Sequence, residues 1–189
     1  MNILSLGLNL SGGKGFATFL QSADITTSYF YDYDNLSVGE YPESLEGVNQ
    51  YIDDQYINYN ALVDLPHCFG YEHVYSNYLT TKFVYIKKDL DSWLESMKNA
   101  QSHFDHESPL IFEELFCNIY EATGKTKMED LTEEELVNIY NSHDSAISNF
   151  FEGKENFLQI DVADPEITSK LKTFLEITED VVFEDLFVI

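Results

Sequence analysis

Asn2-Ile3-Leu4-Ser5-Leu6-Gly7-Leu8-Asn9-Leu10-Ser11-Gly12-Gly13-Lys14-Gly15-Phe16-Ala17-Thr18-Phe19-Leu20 is the stretch that decides the fold class. A short apolar run stops at Gly7, as a buried strand does. The glycine-rich turn through Gly15 then feeds a segment whose apolar residues recur at helical spacing. Strand, glycine-rich turn and helix in that order are the signature of an anion-binding βα unit. Backbone N–H groups at such a turn, aimed by the helix dipole, cradle an anion with no side-chain charge, and Lys14 adds one mobile cation at the rim.

Outward from this unit the pattern repeats. Thr27 to Tyr31 reads as a strand, Leu45 to Ile52 as a helix, and Ala61-Leu62-Val63 as a short strand that ends at Asp64-Leu65-Pro66. Lys82-Phe83-Val84-Tyr85-Ile86 is a further strand, followed by a helix from about Asp91 to Ala100. Strands alternating with helices predict a parallel sheet covered on both faces. The second half is mostly helical. Pro109 to Tyr120 reads as one helix, and Thr132 with Glu135 has the spacing of a capping box that opens another, on which Leu136, Tyr140, His143, Ile147 and Phe150 share a face. Asn156 to Ile160 returns as a strand and Leu171 to Leu175 as a last helix; the tail from Glu179 to Ile189 mixes acids with Val, Phe and Leu and matches neither period. With no repeat and no low-complexity linker, residues 1–189 are expected to form one α/β domain, a three-layer α/β/α arrangement around a mostly parallel sheet.

Charge narrows the partners. The 189 residues carry 34 Asp+Glu against 10 Lys+Arg, a net charge of −24, and every basic residue is a lysine. Hydrophobic residues make up 44%, enough to offset the ordering entropy of a globular domain. Nucleic acids and anionic membrane surfaces are poor partners, because such binding draws on lysines and arginines that displace counterions. Residues 1–100 hold 13 of the acids and the remainder of the chain 21, so an anionic ligand is expected in the first half. No apolar run has membrane-spanning length and no basic-then-apolar leader opens the chain, so a cytoplasmic protein is expected. Cys68 and Cys117 are too few for a disulfide framework, and neither they nor His103 and His106 have metal-site spacing, so no metal is expected.

A nucleoside-triphosphate-binding loop of the Walker type needs a glycine where Leu8 stands and a Ser or Thr where Gly15 stands. The Gly13-Lys14 step alone keeps a small-molecule kinase as an alternative.

Gly7-Leu8-Asn9-Leu10-Ser11-Gly12 resembles the opening of P-loop sulfotransferases, above all the small branch that reads Gly-Leu-Asn-Lys-Thr-Gly-Thr-Thr. Lys82 to Ser96 is similar to that family's strand, Arg-Asp-Pro, Trp and Ser segment, and Tyr140-Asn141-Ser142-His143, Phe157 to Asp161 and Leu171 to Leu175 follow in the family's order. The resemblance implies 3′-phosphoadenosine 5′-phosphosulfate as sulfuryl donor and a hydroxyl or amine of a small-molecule or carbohydrate acceptor. It places Ser11, Gly12, Gly13, Lys14 and Gly15 at the 5′-phosphosulfate, and Lys88 and Ser96 at the 3′-phosphate. Where the family has its catalytic lysine this chain has Leu10, with Lys14 as the available substitute. Where the family uses arginine it has Lys88, a point charge instead of a two-pronged donor.

Sulfuryl transfer also calls for a base near the acceptor. The family's histidine position falls on Asp64, with His67 as a second candidate. Asp64 reads equally as a turn residue before proline, and His143 as a packed core histidine. Leu10 and the missing arginines leave a catalytically inactive binding module as a further alternative.

Overall fold

A computed structural model describes residues 2–29, 44–101, 125 and 130–186. The expected helix at 109–120, together with Phe30, Tyr31, His103, His106 and Cys117, lies outside them.

Five strands form one sheet: β1 (Ile3–Ser5), β2 (Thr27–Tyr29), β3 (Ala61–Val63), β4 (Lys82–Lys87) and β5 (Phe157–Asp161). Their order is β2-β3-β1-β4-β5 and every pairing is parallel. Ile3 stands between Ala61 and Lys82 in the register, so β1 is the central strand. The helices are α1 (Gly13–Ser22), α2 (Leu45–Gln55), α3 (Tyr71–Asn77), α4 (Leu90–Gln101), α5 (Glu133–Phe151) and α6 (Ile167–Leu175), with a 3₁₀ turn at His67–Gly70 before α3.

Alternate residues of each strand feed opposite faces, as the two-residue period requires. Leu4, Leu62, Phe83 and Tyr85 pack with Val48, Ile52, Trp93, Met97, Leu136 and Ile147 from α2, α4 and α5. Ile3, Ala61, Val63, Val84 and Ile86 pack with Phe16, Phe19 and Leu20 of α1 and with Leu171 and Leu175 of α6. The result is a three-layer α/β/α fold. Short strands buried on both faces explain why the sequence shows apolar runs instead of alternation.

Local signals set the helix starts. Ser44 caps α2 by accepting the Gly47 N–H, and Thr132 and Glu135 form the reciprocal capping box that opens α5. Leu136, Tyr140, His143 and Ile147 are buried along α5 as their spacing predicts. Among the described residues no helix is long and apolar enough to cross a membrane.

The segment after α6 is extended. Val181 and Phe183 point into the α1/α6 layer while Val182 and Glu184 face out, and the Phe183 N–H donates to Thr168 Oγ1 at 3.0 Å.

Candidate functional site

The loop between β1 and α1 leaves the carboxyl edge of the central strand. Leu10 takes φ 62° and Gly12 φ 93°, both left-handed, and the chain then enters α1 with the Phe16 N–H bonded to the Gly12 carbonyl. Gly12 supplies this conformation without steric cost; Leu10 holds it at roughly 1–2 kcal/mol. Gly12 makes no side-chain cap, and the first turn of α1 carries no acidic residue. Among the described residues no side-chain cap is seen at that turn, whose N–H groups lie in the positive field of the helix terminus. Ser11 and Gly12 are buried at the start of this turn, Gly15 is buried inside it, and Lys14 projects from it into solvent.

Two buried side chains hold this loop, and a third holds the turn after β4. The His143 Nε2–H donates to the Leu6 carbonyl at 2.7 Å, the Trp93 indole N–H to the Asn9 carbonyl at 2.9 Å, and the Tyr140 hydroxyl to the Lys88 carbonyl at 2.6 Å. Burial pushes the His143 pKa down to about 4, so the imidazole is neutral at pH 7 and its Nε2 carries the hydrogen. These clamps were legible in principle. A Trp and a Tyr buried on apolar helix faces need acceptors for their polar ends, and loop carbonyls are the nearest unpaired ones.

Lys88 and Ser96 are brought together. Lys88 follows β4 directly, is 7% exposed, and its Nζ donates to Ser96 Oγ at 3.3 Å. Among the described residues no carboxylate lies within ion-pair distance of it. A buried ammonium whose partner is a neutral hydroxyl retains donors for an anion. Lys88, Ser96 and Leu10 line one cavity of about 380 Å³, whose rim also carries Asp89, Glu95 and Asp185. Asp89 is engaged at the start of α4, where it accepts the Ser92 N–H at 3.0 Å, and bonds from Ser92 hold its carboxyl below the usual range. The cavity lies outside the carboxyl ends of β1, β4 and β5. Between β1 and β4 the strand order reverses direction, which is where open α/β sheets take their ligands.

On the other side of β1, Asp64 ends β3 in the left-handed region, at φ 71°. It is 2% exposed, and its Oδ1 accepts the Leu65 N–H at 2.8 Å. Its Oδ2 stands 2.7 Å from where a Cβ on Gly13 would be, so the carboxyl meets the first turn of α1. Burial raises its pKa to about 7, with the Leu65 N–H opposing the rise. His67, in the 3₁₀ turn, is fully buried; its Nδ1–H donates to the Val63 carbonyl at 3.3 Å and its ring stacks on Tyr51 at 5.5 Å. Burial lowers its pKa to about 4, and among the described residues its Nε2 has no hydrogen-bond partner. The loop, Asp64 and Lys88 thus meet at the ends of three adjacent strands. Lys14 is exposed in α1 and Lys88 buried after β4.

A second cavity of about 640 Å³ opens between α2, the 3₁₀ turn, α3 and α5, with Asn49, Phe69, Tyr71, Glu72 and Ser142 among its walls. His143 lines it too, while bonding to the start of the loop. Apolar walls with a few amide, hydroxyl and carboxylate groups are the usual make-up of a small-molecule pocket. Among the described residues no group of His, Cys, Asp and Glu side chains is arranged to hold a metal ion.

No curated protein matches the chain at a significant level. A family model described as a sulfotransferase domain matches residues 15–178. That span begins in the first turn of α1, runs through Asp64, Lys88, Ser96 and His143, and ends just past α6. The chain belongs to the sulfotransferase-domain family.

Proposed function

We propose that the protein transfers a sulfuryl group from 3′-phosphoadenosine 5′-phosphosulfate to a hydroxyl or amine of a small-molecule or carbohydrate acceptor. The observation that carries the reading is Lys88: a buried ammonium bonded to Ser96 Oγ, opening onto a cavity that the glycine-rich loop also lines. These residues suit a nucleotide bearing two anionic groups. The uncapped first turn of α1 offers N–H donors to one, and Lys88 with Ser96 offers charge-assisted bonds to the other. When bound, the donor supplies an activated sulfuryl group.

The chain's own part is positioning and proton transfer. Gly12, Gly13, Lys14 and Gly15 hold the 5′ end by backbone N–H groups, joined by the Ser11 hydroxyl and the Lys14 ammonium. Asp64 Oδ2, against Gly13, accepts the proton of the acceptor hydroxyl or amine. A carboxyl with a pKa of about 7 is matched to that task at neutral pH, where a surface aspartate would be too weak a base. His67 is the second candidate for the proton through its unpartnered Nε2.

Isothermal calorimetry tests the donor site. Adenosine 3′,5′-bisphosphate is expected to bind at least tenfold tighter than adenosine 5′-monophosphate, because only the former reaches Lys88. Equal affinities would exclude Lys88 as a 3′-phosphate site. Turnover of the sulfuryl donor against a panel of alcohols and amines separates transfer from binding alone; binding without turnover, unchanged in Asp64→Asn, would favour an inactive binding module.

A further inference from the structure

The segment after α6 crosses the loop that the proposed function assigns to the donor. The Phe183 ring lies against the two buried glycines of that loop: its nearest atom would be 3.7 Å from a Cβ on Gly12 and 3.3 Å from one on Gly15. A Cβ on Gly15 would also run into the Glu184 carbonyl oxygen, so glycine is what lets this segment pass over α1. The Glu184 carbonyl thus lies over the positive end of α1, a place that favours negative charge. The next residue, Asp185, lines the same cavity as Lys88 and Ser96. The segment is anchored through the Phe183 N–H to Thr168 and through the buried side chains of Ile177, Val181 and Phe183. Its outward residues Val182, Glu184 and Leu186 are exposed, so it lies on the layer's surface and is not woven into it.

We propose that Val181–Asp185 is a strap over the glycine-rich loop that competes with an anionic nucleotide for the Lys88 cavity. The carboxylate of Asp185 and the carbonyl of Glu184 stand in for the ligand's negative charge, and entry of the nucleotide displaces them. The strap rests on the reading of this cavity as a nucleotide site. It adds a device to that reading: affinity is set by how firmly Phe183 is seated as well as by the contacts the nucleotide makes.

The test uses the full chain and two variants, Phe183→Ala to loosen the anchor and Asp185→Asn to remove the charge without disturbing the core. Calorimetry with adenosine 3′,5′-bisphosphate is expected to show each variant binding about fivefold tighter than wild type, the Asp185→Asn gain shrinking as salt is raised. Hydrogen exchange on wild type is expected to show slow amides at Val181 and Phe183, which are hydrogen-bonded, that exchange faster once the bisphosphate is bound. Affinities equal to or below wild type in Asp185→Asn, with wild type still binding, would overturn the strap and leave the donor site standing. Slower exchange at 181–185 on binding would overturn it as well, making the segment a wall of the site. Absence of binding by all three proteins, to the bisphosphate and to inorganic pyrophosphate alike, would overturn the donor reading and the strap with it. Should Phe183→Ala fail to fold, the Asp185→Asn and exchange results decide.

Discussion

Asp64→Asn, followed as a function of pH, probes the buried carboxyl without reference to any ligand. Asn tolerates the left-handed backbone of position 64, and its Oδ1 can still accept the Leu65 N–H, so the substitution removes the ionisation and little else. The folded pKa is about 7 against an ordinary 3.8. For a carboxyl raised in this way the stabilising contribution is complete below pH 3.8 and is lost as pH rises through about 7, because the unfolded chain ionises first. Between pH 5 and pH 8 that loss integrates to about 2.5 kcal/mol. His67 and His143, whose pKa values burial depresses to about 4, act in the opposite window, losing their contribution as pH falls from 6.5. They are common to both proteins and cancel in the difference. Urea unfolding of wild type and Asp64→Asn at half-unit steps from pH 5 to pH 8 should therefore show the variant gaining about 2.5 kcal/mol on wild type across that range. A difference independent of pH would mean that Asp64 ionises as an ordinary surface acid, and its assignment as a base tuned to neutral pH would fall.

Lys88→Ala should weaken adenosine 3′,5′-bisphosphate about 10- to 100-fold by calorimetry, the worth of a charge-assisted bond, while changing adenosine 5′-monophosphate less than about threefold. Leu10→Lys places an ammonium on the cavity wall; donor turnover should rise about 100-fold with little change in KM, and an unchanged kcat would show that Lys14 already serves that role. Trp93→Phe leaves the Asn9 carbonyl without its donor inside the core and should cost about 1–3 kcal/mol in urea unfolding, together with faster amide exchange through residues 8–12.

Much of the sheet is legible in the sequence because its strands are short apolar runs stopped by glycine, proline or charge. β1, β3, β4 and β5 fall within two residues of their expected ends. α2 runs three residues past Ile52, since Asp53, Asp54 and Gln55 continue the helix without adding to its apolar face. α3 carries no such signal: Tyr71 to Asn77 buries only Val74 and is held by its place beneath the 3₁₀ turn. The resemblance groups Lys88 with Ser96, and the structure brings the two within 3.3 Å. What spacing cannot show is contact across the chain. The approach of Asp64 to Gly13 depends on β3 lying beside β1, and the hold of Trp93 and His143 on the loop, with that of Tyr140 on the turn after β4, depends on two helices converging there. The tail was opaque for the same reason, since Val181 and Phe183 acquire an inside and an outside only when α1 and α6 supply the surface they lie on.

The central position of β1 has a consequence for how such a protein can diverge. The proposed proton acceptor hangs from the end of β3 and the anion clamp from the end of β4, one on each flank, with no side chain shared between them. A single substitution at either strand end removes one capability and leaves the ladder, both core layers and the other capability in place. On the proposed assignment, loss of transfer therefore does not entail loss of nucleotide binding. By the same proposed assignment the line between enzyme and receptor runs between the ends of β3 and β4, the strands on either side of β1, and crossing it requires no change of fold.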